Sequence, residues 1–199
     1  RLRHHVTIAR IEEAIAEFTT SCESAQVPFQ VIREEGDPFT QFIAHARYHD
    51  LMIFGLKSIF DFGVLGDDYD NAAEEFTQLL SAGVQPILAI EETHRPIQRV
   101  LIAYGGSMES AKTMRRFVQM RLWPKATVKI VHFQEGDSDG ARLVREAADY
   151  CRHYGIEAET EVVHQPAREG LTKFAADWQS DLIVMGNSAR SLISRRVFG

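Results

Sequence analysis

Long apolar runs are missing from this sequence. No stretch approaches the roughly 18 to 20 residues a membrane-spanning helix needs. No secretory leader pattern is visible either, although the sequence opens on Arg1 rather than Met. Cysteine is scarce, with Cys22 and Cys151 the only two in 199 residues. Both fall in helix-like stretches, which reads as thiols buried in a reducing cytosol. Excess positive charge is missing too: 22 Lys and Arg face 28 Asp and Glu, a net charge of −6. That balance disfavours nucleic acid as the main partner. The eight histidines form no metal-like cluster. His45 and His49 share a helix face in HARYH, but the motif lacks the Glu of a zinc protease helix. They read as solvated surface residues.

Hydrophobic residues make up 45% of the chain, enough for one large domain or two small ones. Strand-like and helix-like segments alternate throughout. An amphipathic helix is expected from Val6 to Cys22, with Ile11, Ile15, Phe18 and Cys22 on one stripe. The extended piece VPFQVI follows, then a helix from Phe39 to Tyr48. DLMIFG reads as a strand too apolar to have a wet face. A loop rich in Gly and Asp leads to a helix from Asn71 to Leu80. VQPILAI reads as a second buried strand, and EETHRPIQ as a linker.

The alternation then restarts. RVLIAY is a strand, and Ser107 caps a helix running to Arg121. TVKIVHF is the second strand. Leu143, Ala147, Tyr150, Cys151 and Tyr154 mark a helix ended by Gly155. AETEVV alternates in polarity and belongs near a sheet edge. A helix from Ala167 to Trp178 and the strand DLIVMG complete the series. Such alternation implies parallel strands in a layered α/β fold with right-handed crossovers.

One pattern recurs. FIAHARYHDLMIFG (42–55) echoes KFAADWQSDLIVMG (173–186), 131 residues apart. Two copies of one fold follow, with boundaries at 1–93 and 98–199. The first copy lacks the opening strand, helix and strand that the second has. The second stops before the elements that close the first. The sequence is therefore expected to be a fragment trimmed at both ends.

In an open parallel sheet, ligands bind beyond the carboxyl ends of the strands. Gly186 lies at that end. Asp181 and Asp50 lie at the other, where they would stop a helix and cap the turn into a strand. Beyond Gly186 come Asn187, Ser188, Ala189, Arg190 and Ser191, then Arg195, Arg196 and Gly199. Glycine and arginine suit a loop that cradles phosphate on backbone N–H groups. On spacing alone, a polar surface loop fits equally well.

DLIVMGNSARSLISRRVFG resembles the signature segment of the universal stress protein family. That pattern is a glycine, two residues, a glycine, nine residues, then a glycine followed by Ser or Thr. Gly186 and Gly199 fall on the first and third glycines, and Ala189 stands at the second. RVLIAYGGSMES resembles the family's opening strand and turn, with Gly105 in place of the usual Asp. TVKIVHFQE resembles its second strand. The resemblance covers the whole chain as a tandem pair, more closely from Arg99 onward.

The resemblance implies two tandem doubly wound parallel-sheet domains, Rossmann-like and of the adenine nucleotide alpha hydrolase-like kind. It implies a cytoplasmic stress-response protein and, in one branch, ATP binding, with magnesium accompanying the nucleotide. Carried over, the base and ribose would sit by Ala103, Tyr104, Gly105 and Phe133. Met185 and Gly186 would flank the ribose and phosphates, and Ala189, Arg190 and Gly199 would line the phosphate loop. Positive φ at Ala189 would cost about 1 kcal/mol. The carboxylate absent at Gly105 would be worth about 1 to 3 kcal/mol. Together these departures would weaken binding roughly tenfold to a thousandfold.

The first copy departs further. Ser58 and Asp68 hold its second and third glycine positions. Asp67, Asp68 and Asp70 would repel phosphate, while Gly63 and Gly66 add flexibility without the motif. This copy reads as a degenerate partner, giving an intrachain pseudo-dimer with VQPILAI at the seam; further dimerisation of whole chains is left open. The other branch of the family acts through protein partners without nucleotide, and the Gly105 and Ala189 departures suit it. An ATP-hydrolysing enzyme needs a metal carboxylate or a general base at the strand ends. His132 is near that end with no partner visible in sequence, and no catalytic or metal-binding residue is assigned.

Overall fold

The computed structural model describes residues 2–34, 36, 38–55, 85–91, 93–134, 136 and 139–186. The expected helix at Asn71–Leu80 lies outside them. So do Ser58, Gly63, Gly66, Asp67, Asp68 and Asp70 of the first loop, and Ala189, Arg190 and Gly199 of the second.

The first unit opens with α1 (Leu2–Ser24), longer at both ends than its apolar stripe predicts. Its C-terminus turns through Gln26 at φ 55°. There the Val27 N–H donates to the Cys22 carbonyl at 2.9 Å, closing the helix end. Residues 27–34, which include VPFQVI, form no helix and belong to no ladder among the described residues. They are tied to α1 by a T-shaped Phe18–Phe29 contact at 5.8 Å and by the Arg33 fork on the Glu12 carboxylate. Next come α2 (Pro38–Ala46), β1 (Met52–Gly55) and β2 (Ile87–Ile90). The two strands pair in parallel from Met52↔Ile87 to Gly55↔Ile90.

Two expectations for this unit are corrected. DLMIFG does have a wet face, because Ile53 is 57% exposed while Phe54 is buried. VQPILAI is not buried either: Ala89 is exposed and Ile90 is 43% exposed. For β1 the physical reason is the period of two: alternate residues face opposite sides, and Phe54 is on the covered one; β2 shows no alternation, and its exposure rises toward its carboxyl end.

The second unit is a four-stranded parallel sheet among the described residues. Its strands are β3 (Arg99–Ala103), β4 (Thr127–Phe133), β5 (Ala158–Val163) and β6 (Leu182–Met185). Between them run α3 (Met108–Met120), α4 (Gly140–His153) and α5 (Ala167–Asp177). The order is β5-β4-β3-β6, so AETEVV lies at an edge as its polarity predicts. The chain steps outward through α3 and α4, then returns past β4 and β3 through α5. A fixed right-handed crossover puts the returning helix on the opposite face.

The core follows that division. Val100, Ile102, Val128 and Ile130 face Met114 and Val118 of α3 and Val144, Ala147 and Cys151 of α4. The alternate residues Leu101 and Val131 face Leu171 and Ala175 of α5. Each such aliphatic side chain contributes about 1.5 to 3 kcal/mol through burial. On the α5 face Lys129 lies between Glu159 and Glu161, at 3.2 and 3.1 Å, near the Phe174 and Trp178 rings. Burial pulls its pKa down, but the hydrogen bonds to Glu161 and Glu159 outweigh that and raise it.

Asp181 does more than stop a helix. Its Oδ2 accepts from the Gln98 and Arg99 N–H groups, both at 2.9 Å, and its own N–H donates to the Arg99 carbonyl at 2.9 Å. It clasps the start of β6 to the start of β3. Asp181→Ala is expected to cost about 1 to 2 kcal/mol, since two hydrogen bonds to a charged but exposed acceptor are lost. Urea denaturation checks this.

Cys151 is fully buried and burial pushes its thiol up to about 11. Maleimide at pH 8 is expected to label the half-buried Cys22 in the native protein and Cys151 only after unfolding. The raised value also means that Cys151 favours the folded state below the ordinary thiol range. That contribution fades as pH climbs toward 11.

Candidate functional site

Strand order reverses at β3, with β4 leaving on one side and β6 on the other. This switch point, at the carboxyl ends, is where open α/β sheets take ligands. Six of the expected site residues meet there. Ala103 ends β3 in register with Met185 of β6 and Val131 of β4. Tyr104 and Gly105 follow Ala103, Gly186 follows Met185, and Phe133 ends β4. Ala103, Phe133 and Met185 pack with the α5-side core. Tyr104 packs with the other face, and burial together with the Glu146 charge raises its phenol pKa.

The turn from β3 into α3 is built from small residues. The Tyr104 N–H donates to the Val131 carbonyl at 2.9 Å, extending the sheet by one bond. Gly106 takes φ +75° above Leu143, a conformation that favours glycine. Ser107 is the N-cap: its Oγ accepts from the Ser110 N–H at 3.2 Å. Ser110 Oγ in turn donates to the Ser107 carbonyl at 2.9 Å. The positive end of the α3 dipole therefore sits at the switch point.

Gly186 is packed against this turn. A Cβ built there would lie 2.5 Å from Ser110 N and 2.7 Å from Ser110 Cα. Only a bare backbone lets β6 reach α3 so closely. Gly105 is the opposite case, because a Cβ there meets nothing within 4 Å. The position that carries Asp in the family pattern has room for one.

His132 has the partner its sequence context did not reveal. It is 6% exposed, and its Nδ1 lies 2.9 Å from the Tyr104 carbonyl. A Cβ at Gly140 would fall 2.5 Å from the His132 ring. The histidine is held between the β3 turn and the start of α4, so it positions backbone. Gly170 plays a similar part beside Phe133, whose ring would be 2.6 Å from a Cβ there. Sequence reasoning passed over Gly140 and Gly170, since a lone glycine in a helical stretch gives no signal of what it faces. No group of three or more His, Cys, Asp or Glu residues suited to a metal occurs among the described residues. No helix described is long and apolar enough to cross a membrane.

Residues 137–199 match the model of the universal stress protein family. The match covers 63 of the 199 residues and includes the segment that carries the glycine pattern. No curated protein matches the chain in sequence. Among solved structures, a universal stress protein from Archaeoglobus fulgidus DSM 4304 is similar with a TM-score of 0.68 at 19% identity. The match covers 94% of this chain and 73% of that one. That likeness extends the shared α/β fold across both units. A universal stress protein in complex with cAMP has a TM-score of 0.43 at 22% identity, over 53% of this chain and 86% of that one. A member of the family from Burkholderia pseudomallei has a TM-score of 0.38 at 20% identity, over 49% and 88%.

The two glycines at the switch point make opposite predictions. Gly186→Ala is expected to destabilise the fold by about 1 to 3 kcal/mol, through overpacking against backbone. Gly105→Ala should stay within about 0.5 kcal/mol of the parent. Thermal and urea denaturation of the pair, side by side, checks both.

Proposed function

We propose that the second unit binds an adenine nucleotide, ATP, with weak affinity at the carboxyl ends of β3, β4 and β6. The protein then acts as a cytoplasmic stress-response regulator, with the first unit as a structural partner in an intrachain pseudo-dimer. The observation that carries this reading is the switch point itself. The backbone of Ala103, Tyr104 and Gly105 faces Met185 and Gly186 across it, beside the capped N-terminus of α3. A helix N-terminus at a glycine-lined strand end suits an anionic ligand.

The residues fit a nucleotide in part. Gly105 leaves free space beside the β3 turn, and the sheet edge offers the apolar Phe133 and Met185 for a base or ribose to lie against. Arg190, with the backbone of Ala189 and Gly199, is assigned to the phosphates by the family pattern. Magnesium would supply charge neutralisation of a bound triphosphate, and no residue is assigned to hold it. No step of hydrolysis is assigned, because His132 is engaged with the Tyr104 carbonyl and buried against α4.

A second reading has one observation in its favour. Gly186 is explained by its packing on Ser110 and needs no phosphate to account for it. On that reading the protein keeps the fold, binds no nucleotide and acts through a protein partner.

The test is to purify the protein without added ligand, denature it, and identify any released small molecule by mass spectrometry. Calorimetric titration with ATP follows. Weak but measurable ATP binding is expected, with Gly105→Asp strengthening it about tenfold to a hundredfold by restoring an acceptor. Arg190→Ala is expected to weaken it. No released nucleotide, and no heat at millimolar ATP for either the parent or Gly105→Asp, would transfer the assignment to the second reading.

A further inference from the structure

The sheet of the second unit ends at β5, on the side away from β6. The order β5-β4-β3-β6 gives β5 one neighbour, and among the described residues no strand pairs with its other edge. The Gln134 N–H donates to the Val163 carbonyl at 2.9 Å, so Val163 turns its backbone groups toward β4. Successive residues of a strand turn their N–H and C=O groups to alternate sides. Glu159 and Glu161 therefore pair as Val163 does, while Ala158, Thr160 and Val162 present their N–H and C=O groups to the open edge. Such an edge is a template for a further strand. β5 contains no proline to blunt it, and its register with β4 runs unbroken from Ala158 to Val163.

The two faces beside this edge differ in chemistry. On one, Ala158, Thr160 and Val162 join Val144, Arg145 and Ala148 of α4 around a cleft of about 350 Å³. Charge balances there, because Arg152 pairs with Asp149 and Glu157 and Arg145 offsets the carboxylate left over. On the other face, Glu159 and Glu161 both reach Lys129, at 3.2 and 3.1 Å. Two carboxylates share one ammonium, and both remain largely in solvent. The nearby Arg99 guanidinium lies over the Trp178 ring instead, 4.4 Å from its centroid. An excess of negative charge is thus confined to one face of the edge.

We propose that the open edge of β5 takes an extended segment of a different protein as an added strand, with basic residues at alternate positions and small aliphatic residues between them. Backbone pairing to Ala158, Thr160 and Val162 supplies affinity, and the alternate side chains supply specificity. The basic residues face Glu159 and Glu161, where opposite charges on adjacent strands attract. The aliphatic residues enter the cleft beneath α4. Charge also decides against a second copy. Antiparallel pairing of β5 with β5 about a twofold axis would set four carboxylates against two ammonium groups on one face. The proposal holds whether or not the switch point takes a nucleotide.

Three capped peptides of about seven residues, enough to span a strand, test this on the chain Arg1–Gly199. One alternates valine with lysine, one alternates valine with glutamate, and one groups the lysines of the first at one end. Fluorescence anisotropy measures binding, and hydrogen exchange locates it. The alternating valine–lysine peptide is expected to bind and to slow the Thr160 and Val162 amides by about tenfold or more. The other two should bind at least about tenfold more weakly. Glu159→Gln combined with Glu161→Gln should weaken the first peptide by about threefold to tenfold. Thr160→Pro removes an outward N–H, a change that edge strands accept, and should abolish binding while exchange in β3 and β4 stays unaltered. If that variant does not fold, the glutamine pair decides. Equal binding of the grouped peptide would reduce the effect to net charge and overturn the proposal. So would unprotected Thr160 and Val162 amides with the first peptide at saturation, or no binding at all. Protection of those amides that rises with protein concentration alone would assign the edge to a second copy, and equally overturn it.

Discussion

The second unit depends on the seam between β3 and β6. These strands are joined across about eighty residues of intervening chain, and each end of the seam has its own fastening. At the amino end, the Asp181 carboxylate takes the Gln98 and Arg99 N–H groups. At the carboxyl end, Gly186 reaches the first turn of α3 with no side chain between. The seam also creates the switch point, because β6 joins β3 on the side opposite β4. The geometry that closes the sheet is thus the geometry that forms the switch point. One glycine serves the packing whatever else it serves.

Much of this was legible in the sequence, for a physical reason. In the second unit, strands buried on both faces read as unbroken apolar runs such as RVLIA and DLIVM. Its helices read as stripes bounded by caps such as Ser107 and Gly155. The carboxyl-end placement of Ala103, Tyr104, Gly105, Phe133, Met185 and Gly186 followed from strand direction and the family pattern. The partners of single polar residues were not legible. Nothing near His132 in the sequence announces the Tyr104 carbonyl 28 residues away, and nothing near Asp181 announces Arg99. Such contacts belong to tertiary structure and have no local period. In the first unit, apolar content suggested burial that Ile53 and Ile90 do not have, because composition reports what a strand can cover and not what covers it.

The two units show how one local motif behaves in two settings. The same helix end, with a cysteine four residues before a left-handed turn, occurs at Cys22 and at Cys151. Gly155 adopts that turn readily, whereas Gln26 pays the steric cost of a side chain at positive φ. Around Cys151 the sheet raises the thiol's pKa by burial. Cys22, at the matching place, is only half-buried. The backbone pattern is the same at the two helix ends, and burial is what differs.

The strand order also has a consequence during synthesis. β3, β4 and β5 leave the ribosome in that sequence and can pair as they emerge. Yet β3, the most apolar of them, keeps one edge open until β6 arrives. The roughly eighty residues between β3 and β6 take on the order of 4 to 16 seconds to make at typical translation rates. Throughout that interval the Val100, Leu101 and Ile102 backbone presents unpaired N–H and C=O groups beside a hydrophobic surface, the arrangement most prone to wrong pairing between chains. The moment of greatest risk for this protein therefore falls late, just before Leu182–Met185 slots into place.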